Sequence, residues 1–385
     1  MKIALFTPFS PEIGGGSAQL RHHLAFLSGL DIEWYYLADC PASRTDPAWK
    51  YLGGRFTPAE FLGDLVARTG FLPGSTARAK QLVERIQADR YWVVGHYEGI
   101  SIAAELLKQG KPVQLTIHDD PFGTWLRSER YRWFRPLLRS VFPKVLCDAS
   151  GVDMTSWGMR DLYRGKYNLR CFAVYLHVPA LPVLQVAPDP ARLSIGHIGT
   201  LYQAEPFRRF VEVCKKIAAR QNRALRIVLI GAAPEMDQFA RRDPDIFESH
   251  GNLDEADAIP LLAKCDLLYA MYPSGKKFEM FRRTSLPIKL STYVQAQRPI
   301  FAHSPADSTL ARIVAPYQVG LVCESKDEGA IERRVLETLS QRVGREFFER
   351  LRNELMGPEQ VQQLGAALRG EDWSKYAECD FTGAN

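Results

Sequence analysis

A group of basic residues precedes a helix-like segment in the last third of the chain, where residues 282–289 read RRTSLPIK. Ser285 suits the N-cap position and Pro287 the first turn, so the pattern predicts a helix that begins near residue 286. Its apolar stripe would be Leu290, Tyr293 and Val294. Cations at a helix N-terminus oppose the helix dipole, and a bound anion would reverse that effect. We predict a phosphate or diphosphate site here, with a solvated basic turn as the alternative.

A second candidate is the run GGGS at residues 14–17, which follows the first strand-like segment. Gly15 and Gly16 would let backbone N–H groups approach a ligand closely, with a helix following from Ala18. The spacing is not a dinucleotide fingerprint, and the lysine of a phosphate-binding P-loop is missing. A flexible loop that caps a helix is the alternative.

Gly199 and Thr200 repeat this strand, glycine turn and helix pattern later in the chain, and Gly231 repeats it once more. Backbone N–H groups in such turns can hold phosphate. Tight-turn chemistry alone is the alternative explanation of either glycine.

Two histidines end predicted strands. His118 follows the segment Val113 to Ile117 and precedes two aspartates, and His96 lies in the sequence GHYEG. At the carboxyl end of a parallel strand, His118 could hydrogen-bond a sugar hydroxyl or shuttle a proton, and a structural histidine is the alternative. No second ligand at suitable spacing indicates a metal. The remaining histidines considered, His22, His23 and His177, are interpreted as structural.

Arginines alternate with aromatic residues over residues 125–144. A basic amphipathic helix of this kind can lie on anionic lipid or receive a lipid-linked substrate. A core-packed helix with a solvated arginine face explains the same pattern.

The composition is typical of a folded, soluble protein, and the length is sufficient for two domains. The chain has 385 residues, of which 46% are hydrophobic and 24% charged, and its net charge is +5. This charge suits an anionic ligand or a membrane surface but is too small for a nucleic-acid binder. The seven cysteines form no CxxC pair, and four of them, Cys147, Cys171, Cys214 and Cys265, are expected to be buried. We expect a reducing cytoplasm and no membrane-spanning helix.

Strand-like and helix-like segments alternate along the chain, which predicts α/β architecture with parallel sheets covered on both faces. The first strand series is 3–9, 32–37, 92–96, 113–118, 145–147 and 172–178, and the second is 193–198, 227–230, 267–271, 300–303 and 320–323. Helical spacing is found at 17–29, 75–88, 99–108, 127–141, 345–355 and 358–369.

Four prolines between Val178 and Arg192 indicate a linker. We place the boundary near residue 186. This gives two doubly wound, Rossmann-like domains facing a cleft, residues 1–186 and 187–385, with C-terminal helices that can cross back to the first domain.

Taken together, these motifs resemble the retaining glycosyltransferases of family 4, which have the GT-B fold. The resemblance covers almost the whole chain and rests on the glycine loop at 14–16, the strand end Thr116-Ile117-His118, the turn Gly199-Thr200-Leu201 and residues 285–300. Two glutamates that the family often has, the second of which binds the nucleotide ribose, are Thr284 and Thr292 here. The usual arginine of the second domain's first turn is Thr200, and the lysine a few residues on is Glu205.

The resemblance implies a metal-independent transferase that moves a sugar from a nucleotide diphosphate sugar to an acceptor hydroxyl, without a cofactor. The first domain would bind the acceptor, and the implied catalytic and acceptor-binding residues are His118 and His96 respectively. The implied donor-binding residues are Gly15, Gly16, Gly199, Thr200, Arg283, Ser285, Lys289 and Thr292.

The acceptor would be a sugar or a lipid-linked molecule, in polysaccharide, glycolipid or glycoconjugate synthesis. Nucleic acid is not an expected partner. The expected location is the cytoplasm, with peripheral contact at the inner face of the membrane left open. Two alternatives remain: a nucleotide-sugar epimerase of the same fold, and a catalytically silent subunit that binds a partner transferase.

Overall fold

The computed structural model describes residues 1–12, 14–57, 59–60, 75–96, 98–122, 135–231 and 234–376. The chain divides into two compact units. Unit 1 comprises the described residues of Met1–His177, Arg283–Ser285 and Pro358–Phe381, and unit 2 those of Val178–Arg282 and Leu286–Gly357.

Unit 1 contains a parallel sheet whose described strands number seven, in the order β3-β2-β1-β4-β5-β6-β7. The strands are β1 (Lys2–Thr7), β2 (Asp31–Tyr36), β3 (Trp49–Tyr51), β4 (Arg90–Val94), β5 (Val113–Ile117), β6 (Gly151–Met154) and β7 (Phe172–Ala173). Alternate side chains of β1 enter two different apolar clusters: Ala4 and Phe6 enter one, Ile3 and Leu5 the other. Both faces of the sheet are therefore buried, as parallel sheets require.

The helices of unit 1 cover these two faces. They are α1 (Gly15–Phe26), α2 (Ser75–Glu84), α3 (Gly99–Lys108), α4 (Arg135–Asp148), α5 (Trp157–Tyr167) and, from the C-terminal part of the chain, α14 (Glu359–Arg369). Leu364 and Leu368 of α14 lie in the same apolar cluster as Leu20 of α1. The C-terminal helix thus completes one half of the core of unit 1.

Unit 2 contains a second parallel sheet, with six described strands in the order β10-β9-β8-β11-β12-β13. They are β8 (Arg192–Ile198), β9 (Ala224–Ile230), β10 (Phe247–Ser249), β11 (Leu267–Met271), β12 (Ile300–His303) and β13 (Gly320–Cys323). Its helices are α6 (Ala204–Arg220), α7 (Pro234–Arg242), α8 (Glu255–Leu262), α9 (Glu279–Thr284), α10 (Lys289–Ala296), α11 (Ala311–Val314), α12 (Glu328–Ser340) and α13 (Arg345–Leu355). In α6, Phe207, Phe210, Cys214 and Ile217 recur at helical spacing and are buried.

The predicted fold class is confirmed, because helices alternate with two parallel sheets. Three strand predictions in unit 2, residues 267–271, 300–303 and 320–323, agree with the structure to the residue. One strand prediction in unit 1 is wrong. Residues 145–147 lie inside α4, and the strand is Gly151–Met154 instead, so Cys147 is exposed and not buried. The short edge strands β3 and β10 were not predicted, because each is only three residues long.

The helix predicted from residue 286 begins three residues later. Its N-cap is Ile288, without a side-chain cap, rather than Ser285. Arg282 and Arg283 instead lie near the end of the preceding helix α9, where the helix dipole favours cations. Arg282 is already engaged in two hydrogen bonds to the Asp307 carboxylate, of 2.6 and 2.8 Å. The predicted grouping of Arg282, Arg283 and Lys289 at one helix N-terminus is therefore wrong.

Helix α1 also differs from its prediction, since it begins at Gly15 and not at Ala18. Of the basic aromatic segment 125–144, residues 125–134 lie outside the described part, and the remainder belongs to α4. Among the described helices, none has the length and apolar character needed to cross a membrane.

Candidate functional site

The strand order of unit 2 reverses direction between β8 and β11, the strands that start its two halves. In parallel α/β sheets, ligands bind beyond the carboxyl ends of strands at such a switch point. The residues that follow β8 are Gly199 and Thr200, so the topology places this predicted turn where a ligand is expected.

Lys289, the first residue of α10, lies over this turn. Its Nζ donates a hydrogen bond to the Thr200 carbonyl oxygen at 3.3 Å. A Cβ atom on Gly199 would lie 3.6 Å from Lys289 Cε. The structure therefore brings together three residues that the sequence analysis assigned to donor binding: Gly199, Thr200 and Lys289.

The turn itself depends on glycine. Gly199 has φ +81°, a left-handed conformation that disfavours other residues, and Gly231 after the adjacent strand β9 has φ +126°. A Cβ on Gly231 would meet the Gly199 nitrogen at 3.3 Å. The N–H groups of Thr200 and Leu201 have no hydrogen-bond partner among the described residues. Two backbone donors and an ammonium group thus lie at one turn, which is a suitable arrangement for binding an anion.

The N-terminus of α10 offers fewer backbone donors to an anion than the sequence predicted. The N–H groups of Leu290 and Ser291 already donate to the carbonyl oxygens of Pro287 and Ile288, at 3.0 and 3.1 Å. These donors are therefore not available to an anion, and the Lys289 side chain carries the positive charge.

Buried side chains hydrogen-bond to the backbone beside the Gly199 turn and hold the turn in place. Tyr293 Oη donates to the Tyr269 carbonyl oxygen at 2.8 Å and accepts from the Ile198 N–H at 3.2 Å. The ring nitrogens of His197 lie 3.0 Å from the Tyr269 carbonyl oxygen and 3.1 Å from that of Gly199. Burial, with the nearby Lys289 charge, lowers the pKa of His197 to about 3, so this ring is neutral at pH 7.

The charge of Lys289 is sensitive to its surroundings. The side chain is half-buried, and desolvation by the protein around it lowers its pKa to about 7. A bound diphosphate would favour the ammonium form and raise this pKa again.

Thr292 lies one turn along α10 and is buried. Its hydroxyl donates to Glu255 Oε1 of α8 at 3.1 Å. Neither the composition nor the spacing of the sequence indicated Glu255, because its place beside Thr292 depends on how α8 packs against α10. The neighbouring loop contains Gly251, whose carbonyl oxygen accepts from the Gly231 N–H at 2.6 Å.

Unit 1 has its own switch point, between β1 and β4. The glycine loop follows β1, and Gly14 has φ +98°, so it also requires glycine. Ser17 Oγ donates to the Ser10 carbonyl oxygen at 2.6 Å and thereby closes the loop. Gly15 and Gly16 form the first residues of α1.

Gly16 packs directly on His118. A Cβ at Gly16 would lie 2.6 Å from His118 Nδ1, so the close approach requires glycine. The His118 ring stacks on Phe9 with ring centres 6.1 Å apart, and its Nε2 is buried without a hydrogen-bond partner among the described residues. Burial lowers the pKa of His118 to about 4, so the ring is neutral at pH 7. The hydrogen-bonding capacity of this nitrogen is therefore unused within the described residues.

His96 lies beside the same group, with its ring 6.3 Å from that of Phe9. Burial, then His118 and Arg55, lower the pKa of His96. The next described residue, Glu98, is fully buried, accepts the Phe56 N–H at 3.0 Å, and has its pKa raised by burial. The structure thus brings together Gly16, His96 and His118, which the sequence analysis treated as separate candidates.

Other predicted residues lie elsewhere. Arg283 and Ser285 belong to unit 1 in the division of the chain, whereas Lys289 belongs to unit 2. His23 is buried in α1, and His22 Nε2 lies 2.6 Å from the His177 carbonyl oxygen. Within the described ranges, no group of three or more histidine, cysteine or acidic side chains has the arrangement of a metal site.

Comparison with known families gives a partial match. Residues 192–341 match the family described as "Glycosyl transferases group 1". This range contains the Gly199 turn, Glu255 and Lys289. No curated protein sequence matches the chain.

Solved structures resemble the chain over nearly its full length. WaaG, a glycosyltransferase involved in lipopolysaccharide biosynthesis, has a TM-score of 0.61 at 12% identity, with 96% of this chain and 100% of that chain covered. A trehalose-6-phosphate protein from E. coli bound with UDP-2-fluoro glucose has a TM-score of 0.58 at 11% identity, with 97% of each chain covered. A protein from Listeria monocytogenes described as a UDP-N-acetylglucosamine 2-epimerase has a TM-score of 0.59 at 10% identity, with 98% of each chain covered. These likenesses establish the GT-B fold, and at such identities they establish the fold alone.

Proposed function

We propose that this protein is a glycosyltransferase that moves a sugar from a nucleoside diphosphate sugar to an acceptor hydroxyl. The observation that carries the proposal is the anion site of unit 2, where Lys289 and the N–H groups of Thr200 and Leu201 surround the Gly199 turn. This site lies in the part of the chain that matches the glycosyltransferase family.

In this reaction the acceptor oxygen bonds to the anomeric carbon, and the bond from that carbon to the diphosphate breaks. The electron pair stays on the diphosphate, and the acceptor proton leaves to the diphosphate or to solvent. Lys289 and the backbone donors would stabilise the charge that develops on the leaving group, in place of a metal ion. From the resemblance to family 4, we further propose retention of configuration at the anomeric carbon and a hexosyl donor.

We propose that His118 hydrogen-bonds a hydroxyl of the transferred sugar. Its Nε2 has no partner among the described residues. A base with a pKa of about 4 takes up a proton poorly at pH 7, so a hydrogen-bonding role is favoured over proton shuttling. Gly15 and Gly16 would bring backbone close to the donor, and His96 would contact the acceptor.

We propose, from the family resemblance of the sequence, that the acceptor is a sugar or a lipid-linked molecule. Two structural neighbours support a sugar or lipid-linked acceptor: WaaG takes part in lipopolysaccharide biosynthesis, and TarM from S. aureus was solved with alpha-GlcNAc-glycerol and UDP. Contact of residues 125–144 with a membrane surface, and a cytoplasmic location suited to the free cysteines of the described chain, remain predictions.

The test combines calorimetry of UDP, GDP and ADP with turnover of the corresponding nucleotide sugars, with and without acceptors. The Lys289→Gln variant should bind the preferred diphosphate about 10-fold or more weakly, since hydrogen bonds to charged groups contribute about 1.5–3 kcal/mol. Lys264→Gln, which removes an exposed lysine of the same unit, is the matched control. The His118→Ala variant should keep diphosphate affinity and melting temperature but lose most transfer.

The alternatives give different results. An epimerase would convert the nucleotide sugar without an acceptor, and a silent subunit would bind it without turnover. Unchanged affinity in Lys289→Gln would refute the anion site, and normal transfer by His118→Ala would leave that histidine with a structural role only.

A further inference from the structure

Three side chains of α10 converge on one carboxylate oxygen of α8. Glu255 Oε1 accepts hydrogen bonds from Gln295 Nε2 at 2.8 Å and Thr292 Oγ1 at 3.1 Å. Ser291 Oγ lies 3.4 Å from the same oxygen and shares its one proton with the Ile288 carbonyl oxygen, 3.0 Å away. The second oxygen, Oε2, has no hydrogen-bond partner among the described residues, and the residue is solvent-exposed. The carboxylate is therefore held in one orientation with one oxygen available.

This carboxylate lies beside the anion site, as a closed series of contacts shows. Lys289 contacts the Gly199 turn, Gly231 packs on Gly199, and the Gly231 N–H bonds to Gly251. Glu255 follows Gly251 by four residues and is bonded to Thr292, which lies one helical turn from Lys289. Residues three apart on a helix are neighbours, about 5–6 Å between Cβ atoms.

A negative charge so close to an anion site would repel a phosphate group. It is, however, well suited to hydroxyl groups, since a carboxylate oxygen accepts hydrogen bonds from them. The same pairing occurs in dinucleotide-binding domains, where an acidic residue binds a ribose hydroxyl while backbone N–H groups hold the diphosphate. A molecule with a diphosphate at one end and hydroxyls a few ångströms away would match both features.

We propose that Glu255 binds the ribose hydroxyls of the donor nucleotide and makes the site select ribonucleotides over 2′-deoxyribonucleotides. This inference rests on the proposed function, because it assumes a nucleoside diphosphate at the Lys289 turn. Thr292, Ser291 and Gln295 act as positioning residues, which hold the carboxylate from the helix that carries Lys289.

The test is calorimetry on the full chain with the tightest binder among UDP, GDP and ADP, with its 2′-deoxy counterpart, and with inorganic pyrophosphate. The natural protein should bind the ribonucleotide about 10-fold or more tightly than the 2′-deoxy form. In the Glu255→Ala variant this preference should disappear, because the ribonucleotide loses the contacts of both hydroxyls and the 2′-deoxy form only the contact of its 3′-hydroxyl. Pyrophosphate affinity should be kept or improved, since a nearby negative charge has been removed.

Asp257→Ala, which removes another exposed carboxylate of α8, is the matched control and should keep the preference. A circular dichroism melt checks that Glu255→Ala is folded, and Thr292→Val should reduce the preference partly. If Glu255→Ala still prefers the ribonucleotide, the inference is overturned while the proposed function stands. If the natural protein binds neither nucleoside diphosphates nor pyrophosphate, the proposed function fails and this inference fails with it.

Discussion

Lys289 is the residue on which the proposed anion site of unit 2 depends most directly. Its ammonium group touches the Thr200 carbonyl oxygen, and desolvation lowers its pKa to about 7. Desolvation makes the free site costly to keep charged, and a bound diphosphate would compensate for that cost. Glu255 and His118 each carry a polar atom that has no hydrogen-bond partner in the described chain. These atoms are Glu255 Oε2 and His118 Nε2.

Diphosphate binding should therefore take up a proton at pH 8. Free Lys289 is then mostly neutral, and the bound phosphate raises its pKa, so affinity should fall as the pH rises above about 7. Calorimetry at pH 8 in two buffers of different ionisation enthalpy measures the proton uptake. Lys289→Arg, whose side chain stays charged throughout this range, should bind without it. Equal uptake in both proteins would assign the proton to another group.

At the scale of elements, the C-terminal helix α14 serves unit 1 although it follows all of unit 2 in sequence. Val361, Leu364 and Leu368 lie in the cluster that covers one face of β1 and β4. Trp373, just beyond the helix, packs on Phe172 of β7 with ring centres 4.7 Å apart. This helix therefore supports the sheet whose strands carry His96 and His118 at their ends.

The Leu364→Ala variant should lower the free energy of unfolding of unit 1 by about 2–5 kcal/mol, the range for removing a fully buried leucine side chain. Urea unfolding followed by tryptophan fluorescence can measure this. All seven tryptophans lie at positions 34–157 or at 373, so the signal does not come from the strands of unit 2. Gln362→Ala, at an exposed position of the same helix, should change the midpoint little. Equal effects of both variants would mean that α14 contributes through its backbone alone.

At the scale of the whole molecule, buried titratable groups are numerous. Burial lowers the pKa of five histidines in the described chain: His23 to about 3, His118 to about 4, His197 to about 3, and also His96 and His303. Burial raises the pKa of Asp119 to about 6, of Asp153 to about 7, and of Glu98. The two groups have opposite effects on stability in acid.

Below pH 6.5 the unfolded chain protonates histidines that stay neutral in the folded protein, so each such histidine lowers stability as the pH falls. The three acids retain protons when folded and oppose this effect between about pH 4 and 7. With five histidines against three acids, the melting temperature should fall between pH 6.5 and 5. Melts followed by circular dichroism can check this.

Asp153→Asn removes one opposing acid and keeps one acceptor oxygen, which is the number that the bonds from Gln114 and Thr116 to Oδ1 use. Its melting temperature should therefore fall more steeply with acid than that of the natural protein. A melting temperature that rises toward pH 5 would show that the buried acids outweigh the histidines.

Much of the architecture could be predicted from the sequence. Strands such as Leu267–Met271 are short apolar runs bounded by polar or turn residues, and their local composition determines both type and limits. Glycine turns after strands and histidines at strand ends could be placed because the carboxyl ends of parallel strands share one edge. Local pattern failed at residues 145–147, where an apolar run within a helix resembled a strand.

The contacts between residues distant in sequence depended on tertiary structure and could not be predicted from local pattern. Residues 279–284 form a helix of their own, which places Arg282 against Asp307 rather than at the start of α10. Glu255 reaches Thr292 across 37 residues of sequence, because α8 and α10 pack side by side. The sequence by itself thus determined the α/β class, the glycine turns and the position of Lys289. Side-chain partners that are distant in the chain depended on helix packing, whose register a single sequence does not record.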